Sequence, residues 1–98
     1  MPFSPFDSDS AILTGIGERI NATRLEQNRS QKELAAAAGV STRTVERLEA
    51  GASTSLTNFV RILRELGLLD RLDNLVPAPL PSPIERLRSE GRRRKRSS

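Results

Sequence analysis

The chain has 98 residues and a formal net charge of +4, and it contains neither cysteine nor histidine. Disulfides, thiolate or histidine metal centres, and catalysis by Ser–His or Cys–His pairs are therefore excluded, so we expect a protein that is not an enzyme and uses no metal or cofactor. No apolar run approaches the roughly 18 residues of a membrane span. Acids also stand near the N-terminus where a signal peptide has bases, so we expect a cytoplasmic protein.

The sequence divides into three predicted parts. An irregular arm covers residues 1–10, a helical domain covers residues 11–76, and a proline-rich linker, a short capped helix and a basic tail cover residues 77–98. The arm contains Phe3 and Phe6 among its prolines, serines and aspartates. Because exposed aromatic side chains are costly in water, each either folds back on the domain or meets a partner.

An amphipathic pattern predicts the first helix, from about residue 11 to 28. Ser30 and Glu33 then form a capping-box pattern, which starts a second helix, and Gly39 ends that helix. The apolar side chains that define one face of the first helix are Ile12, Leu13, Ile16, Ile20 and Leu25.

Three more helices complete the predicted domain. Ser41 caps a third helix over residues 42–50, which Gly51 ends. Ser55 caps a fourth helix of helical apolar period, and the leucine-rich stretch over residues 68–76 predicts a short fifth helix. The predicted fold class is therefore all-α, a five-helix domain followed by a basic C-terminal tail.

The fifth helix has more leucine than so small a core easily absorbs. Two interpretations remain open, a dimer interface between two copies of the chain and a lid that closes the core of one copy. The leucines concerned are Leu68, Leu69, Leu72 and Leu75.

The third helix has two chemically different faces at 100° per residue. Val45 and Leu48 fall on one side, and Arg43 and Arg47 fall on the other. Two short helices joined by a tight turn, the second with an arginine face, have the geometry that enters a DNA major groove. Arginine reads guanine and threonine can read several base edges, although an ordinary solvated face is the alternative. The candidate base-reading residues are Thr42, Arg43, Thr44 and Arg47.

This region resembles the helix-turn-helix domain of the phage-repressor or Xre type over roughly residues 12–68. The matching features are Gln31 at the start of the second helix, Leu34-Ala35 within it, Gly39-Val40-Ser41 in the turn, Thr44-Val45 and Glu49 in the third helix, and Gly51 after it. The resemblance implies a domain that binds double-stranded operator DNA as a two-fold homodimer, with the third helix in the major groove. It implies a transcriptional repressor.

The resemblance also implies roles for residues outside the arginine face. Arg24 and Glu49 occupy positions where the family tends to have a structural ion pair between the first and third helices. After the third helix, family members often have lysine or arginine, whereas this chain offers hydroxyls and backbone N–H groups. The candidate phosphate-binding residues are Ser30, Gln31, Ser41, Ser53 and Thr54.

The charge of the chain is concentrated in the tail. Residues 1–76 hold nine Lys/Arg against ten Asp/Glu, whereas residues 77–98 hold seven against two. Three interpretations of the tail remain open: it adds non-specific DNA affinity, it docks on a partner protein, or it is a solvated end. The linker and the capped helix near residues 83–90 favour docking on a partner, because electrostatic attraction alone requires neither.

Compact proteins of this family with a tail resemble the HipB-like antitoxin partners of HipA-like kinase toxins. That resemblance implies an autoregulating repressor that also holds a kinase toxin. The alternatives are a stand-alone phage or host repressor and a module that acts mainly by protein–protein binding through its tail.

Overall fold

The computed structural model of the chain describes residues 2–80. Its elements are α1 (Asp9–Glu26), α2 (Gln31–Ala38), α3 (Thr42–Glu49), α4 (Leu56–Leu66), a 3-10 turn (Leu69–Arg71) and α5 (Leu72–Leu75). The predicted all-α fold with five helices is confirmed, and residues 2–80 contain no strand. The predicted helix near 83–90 and the basic tail lie outside the described residues. None of the helices in this part of the chain combines the length and apolar character that a membrane span requires.

Serine side chains cap the first four helices. Each hydroxyl accepts the backbone N–H of the residue three positions later at 3.0–3.1 Å, and the serines are Ser8, Ser30, Ser41 and Ser55. At Ser30 the reciprocal bond is also formed, because its own N–H donates to the carboxylate of Glu33 at 2.9 Å. The predicted capping box and the predicted caps at Ser41 and Ser55 are confirmed.

α1 begins before the predicted span of about 11–28, because its first turn is polar and so lies outside the apolar pattern. Ser8 caps it by accepting the N–H of Ala11, whereas the apolar period starts only at Ile12. At the other end, Asn28 takes the left-handed conformation with φ of 57°, so the helix ends before it. The prediction was two residues late at both ends.

The core lies where the first four helices meet. Leu34 of α2, Val45 of α3 and Ile62 of α4 are completely buried, and Leu48 is 2% exposed. The predicted inward face of α3 is thus confirmed, because both of its apolar side chains lie in the core.

The prediction was wrong for one residue of the α1 stripe. Leu25 is 56% exposed, whereas Ile20 is buried. Leu25 lies five positions after Ile20, which turns it about 140° around the helix and away from the core. Its neighbour Arg24 is buried instead, at 7% exposure.

α1 and α3 approach closely at Gly17. A Cβ atom added at Gly17 would lie 2.7 Å from the backbone oxygen of Glu49, and it would be closer still to the backbone oxygen of Leu48. Real Cβ atoms do not come so close to backbone atoms, so only glycine permits this spacing of the two helices. Gly17 therefore sets how close α3 lies to α1.

The leucine-rich stretch folds as a 3-10 turn that continues into α5. Gly67 has φ of 78°, and this left-handed residue turns the chain back after α4. Leu68, Leu69 and Leu72 pack against the core, as the lid interpretation requires, whereas Leu75 is 70% exposed.

The two phenylalanines of the arm have different environments. The ring of Phe3 lies against α1, where the guanidinium carbon of Arg19 is 3.9 Å from the ring centroid. Phe6 is 96% exposed. Of the two interpretations, Phe3 therefore folds back on the domain, and Phe6 makes no such contact.

Replacing Gly17 by alanine is expected to lower the free energy of unfolding by about 1–3 kcal/mol, because the new methyl group must push α3 away from α1. This loss should appear even though alanine favours a helix over glycine by about 1 kcal/mol. Urea unfolding followed by circular dichroism measures the difference.

Gly15→Ala is the matched control in the same helix. Its new methyl group would meet only the Phe3 ring, at 2.6 Å, and that side chain belongs to the arm and can move aside. Equal destabilisation by the two substitutions would show that the Gly17 contact does not set the helix spacing.

Candidate nucleic-acid interface

The turn between α2 and α3 fixes the two helices relative to each other. Gly39 has φ of 75°, and the N–H of Val40 donates to the carbonyl of Ala35 at 3.0 Å, which forms a Schellman motif. The Val40 side chain packs against the core. Ser41 follows at once and caps α3, so few backbone torsions between the helices are free.

The outer face of α3 carries two unpaired cations. Arg43 and Arg47 are exposed, and neither has a hydrogen-bond or ion-pair partner among the described residues. Their spacing of four positions puts them on the same face of the helix, opposite Val45 and Leu48. Two adjacent guanidinium groups without acidic partners are available to a ligand outside the domain.

The structure brings six of the predicted site residues to one shallow depression, which we call the reading surface. It combines the outer face of α3, the cap before it and the loop after it. The lining residues are Ser41, Arg43, Thr44, Arg47, Ser53 and Thr54. Three predicted site residues lie elsewhere, since Thr42 is half-buried in the first turn of α3 and Ser30 and Gln31 stand at the start of α2.

The hydroxyl of Thr44 takes part in the cap of α3. It lies 2.8 Å from the hydroxyl of Ser41, which also accepts the backbone N–H of Thr44 at 3.1 Å. Part of the hydrogen-bonding capacity of both hydroxyls is therefore used within the helix start. The methyl group of Thr44 takes no part in the cap.

A buried carboxylate holds α3 to the rest of the domain. Arg24 donates to Glu49 through Nε at 2.7 Å and through Nη2 at 3.0 Å, and these side chains are 8% and 5% exposed. Asn21 and Gln31 donate to the same carboxylate at 2.7 and 3.0 Å. This Glu49 network joins α1, the start of α2 and the end of α3.

Hydrogen bonding determines the ionisation of the Glu49 network. Burial raises the pKa of Glu49, but the hydrogen bonds from Arg24, Asn21 and Gln31 outweigh burial and hold that pKa below its ordinary value. The bond to Glu49 likewise raises the pKa of Arg24 against the effect of burial. Both groups are therefore charged at neutral pH.

Gln31 has a second role that the sequence did not indicate. Its Nε2 atom donates to Glu49, which fixes the side chain at the first position of α2. The amide oxygen is not used in that bond, and an amide offers both an acceptor and a second donor hydrogen. Asn21 was also missed, although it lies three positions before Arg24 and hence on the same face of α1.

The loop before α2 is anchored to the end of α4. Arg29 forms an ion pair with Glu65 at 2.7 Å, and Gln27 donates to the carbonyl of Leu66 at 2.9 Å. Arg29 also accepts through its carbonyl from Arg24 at 2.7 Å. These bonds hold the segment that carries the start of α2. No pattern in the sequence predicted the two bonds to α4, because their partners are more than 35 positions apart.

The helix-turn-helix family model HTH_3 matches residues 20–70, which is more than half of the chain. The chain belongs to the helix-turn-helix family. The match covers α2, the turn and α3, and membership indicates a DNA-binding transcription regulator. A comparison of this helix-turn-helix protein with curated proteins found no match.

Glu49→Gln is expected to lower the free energy of unfolding at pH 7 by about 3–5 kcal/mol, because it leaves the Arg24 charge buried without its counter-ion. The lowered pKa of Glu49 means that the stabilisation is complete above the ordinary glutamate value of 4.5 and is lost as the pH falls through the folded-state pKa. The difference in the free energy of unfolding between the wild type and the variant should therefore become smaller as the pH falls. Urea unfolding at several pH values measures it.

Glu26→Gln provides the control, since Glu26 is an exposed acid in the same domain. It should change the free energy of unfolding by less than about 0.5 kcal/mol. A gap that stays constant down to the lowest pH at which the domain folds would show that the Glu49 charge is not what stabilises the network.

Proposed function

We propose that the chain is a sequence-specific repressor that binds double-stranded operator DNA as a homodimer, with α3 in the major groove. One observation carries the proposal. Arg43 and Arg47 stand exposed and without partners on the outer face of α3, at the reading surface of a helix-turn-helix domain. In a monomeric domain without a ligand, such a pair would serve only solubility.

The reading surface suits direct contact with base edges. A guanidinium donates two parallel hydrogen bonds to O6 and N7 of guanine, so Arg43 and Arg47 each select a guanine. The Thr44 methyl suits contact with a thymine methyl, because the Thr44 hydroxyl already takes part in the cap. Thr42 completes the set of base-reading residues in the first turn.

Phosphate contacts position the domain without reading sequence. The starts of α2 and α3 offer backbone N–H groups that favour phosphate oxygens, and Ser30, Gln31 and Ser41 stand there. Ser53 and Thr54 offer hydroxyls on the other side of the reading surface. Repression follows if the bound site overlaps a promoter, and the family resemblance supports this direction of control.

A second surface supports the homodimer. An apolar groove is lined by Phe59, Leu63, Leu68, Leu72 and Leu75, together with Arg19 and Arg71. Leu68, Leu69 and Leu72 serve mainly as a lid on the core, so the dimer contact that we propose is centred on the exposed side chains of Leu75 and Val76. In the homodimer that we propose, two-fold symmetry would present one α3 helix from each copy to successive half-sites.

The antitoxin role is a hypothesis that rests on size and on the resemblance to HipB-like proteins. In this hypothesis the chain represses its own operon and also holds a HipA-like kinase. Copurification of such a kinase with the chain, and its loss when the chain is cut after Val76, would support the hypothesis. A kinase that never copurifies would leave the stand-alone repressor.

Arg43→Ala and Arg47→Ala are each expected to weaken operator binding by roughly 1–3 kcal/mol while binding to random DNA changes little. The lost bonds are made only to a matching base, which is the reason for the difference. Fluorescence anisotropy measures both affinities, on an operator obtained by selection from a random duplex library. Arg64→Ala is the matched control, because Arg64 is exposed near the end of α4 and outside the reading surface.

Equal losses on operator and random DNA would mean that the two arginines contact phosphate and not bases. An operator loss for Arg64→Ala as large as that for Arg43→Ala would place the reading residues elsewhere.

Leu75→Glu is expected to raise the dimer dissociation constant more than about 100-fold, because it buries an unpaired carboxylate in the proposed contact. Sedimentation velocity over a range of concentrations measures the dimer, and circular dichroism checks that the helical content is kept. Leu80→Glu is the matched control, since Leu80 is 90% exposed and follows α5. An unchanged dimer would exclude the apolar groove as the contact.

A further inference from the structure

The described residues have no net positive charge with which to attract DNA. Residues 2–80 carry nine Lys/Arg and ten Asp/Glu. Two of the nine cations are neutralised inside the domain, Arg24 by Glu49 and Arg29 by Glu65. Arg19 lies over the Phe3 ring and Arg71 lines the apolar groove. Five of the nine cations are left to face a polyanion, and two of these five are Arg43 and Arg47 of the reading surface.

The candidate phosphate contacts within the domain are uncharged. Ser30, Gln31, Ser41, Ser53 and Thr54 offer hydroxyl, amide and backbone groups. The loop over residues 50–55 contains no lysine or arginine. The two free arginines of the reading surface are used on bases in the proposed function. Hydrogen bonds of neutral groups position a phosphate, but binding by release of counterions requires cations.

The cations that the domain lacks are present further along the same chain. Residues 77–98 hold seven Lys/Arg against two Asp/Glu, and five cations are consecutive at residues 92–96. Four of these five are arginines, whose planar fork matches phosphate oxygens. Duplex DNA presents one negative charge per about 1.7 Å of axis, so a short basic run can meet several phosphates at once.

The linker gives the basic run both separation and reach. The sequence has prolines at Pro77, Pro79, Pro81 and Pro83, a pattern that predicts a stiff spacer of about 3.1 Å per residue. An extended chain from Val76 to Arg92 spans at most roughly 50 Å, which exceeds the 34 Å of one helical turn of DNA. The run can therefore reach phosphates beyond the base pairs that α3 covers.

We propose that the basic residues from Arg86 to Arg96 bind phosphates of DNA flanking the operator and supply most of the non-specific, salt-dependent affinity. This inference rests on the proposed DNA binding. The domain then provides sequence discrimination and the tail provides affinity that is the same on every sequence.

The test neutralises the basic run in the full chain. The neutral variant carries Arg92→Gln, Arg93→Gln, Arg94→Gln, Lys95→Gln and Arg96→Gln, and the charge-preserving variant carries lysine at the four arginine positions. Affinity for the selected operator and for a random duplex is measured between 50 and 200 mM salt. The slope of log K against log salt concentration counts the phosphates that the protein neutralises, at about 0.9 per contact.

The neutral variant should lose up to about 4.5 from the magnitude of that slope, on operator and random DNA alike. The ratio of the two affinities should stay at the wild-type value. The lysine variant should keep the wild-type slope, because the salt-dependent part of the affinity depends on charge and lysine keeps the charge.

A neutral variant with the wild-type slope would overturn the proposal. If that variant also failed to copurify with a protein that the wild-type chain binds, the tail would be assigned to that partner. A wild-type chain that binds operator and random DNA equally would instead contradict the proposed sequence-specific function. The slope and the ratio thus test the tail and the reading surface separately.

Discussion

The position of α3 depends on the carboxylate of Glu49. This group is nearly enclosed, and it accepts hydrogen bonds from three side chains that belong to α1 and to the first residue of α2. A buried charge is tolerated when an opposite charge and hydrogen bonds compensate for its lost hydration. Since Glu49 is the last residue of α3, its bonds hold one end of the helix, while Ser41 caps the other end. The outer face is thereby presented at one fixed angle.

α3 is short, and its residues have two different tasks. Some of its eight residues attach the helix to the domain, and others are left for a ligand. Val45 and Leu48 are in the core, and Gly17 lets α1 lie against the backbone near Glu49. The threonines and the valine have modest helix propensity, so the helix is held by its caps and its packing more than by its own preference. Arg43, Glu46 and Arg47 are the side chains of α3 that remain exposed on the outside.

Local chemistry made the helix starts and ends predictable. A serine hydroxyl and a glycine act within a few positions of the chain, so the caps at Ser30, Ser41 and Ser55 and the stop at Gly39 could be read directly. The start of α1 was missed because Ser8 follows an arm of similar polar composition. Leu25 was misplaced because its apolar character was counted without its angle around the helix.

Contacts between distant positions were harder to predict. The bond from Gln31 to Glu49 and the anchor of Arg29 on Glu65 join residues 18 and 36 positions apart, and nothing in their local sequence indicates the partner. The separate environments of Phe3 and Phe6 also depend on tertiary packing, because only Phe3 meets the space beside Gly15. The arginine face could be predicted because helix spacing alone defines it, whereas the meeting of Ser53 and Thr54 with that face required the fold.

The separation of charge between domain and tail has a consequence for selectivity. If α3 reads bases as proposed, a domain of nearly balanced charge has little affinity for arbitrary DNA, and the difference between sites comes mainly from the base contacts of α3. Cations on a tail increase binding to every sequence by the same factor and leave that difference unchanged. Because most of a genome is non-specific DNA, occupancy of an operator depends on the ratio of the two affinities. In the proposed function, a chain with its base-reading arginines on α3 and its surplus cations beyond a proline-rich linker can change affinity without changing discrimination.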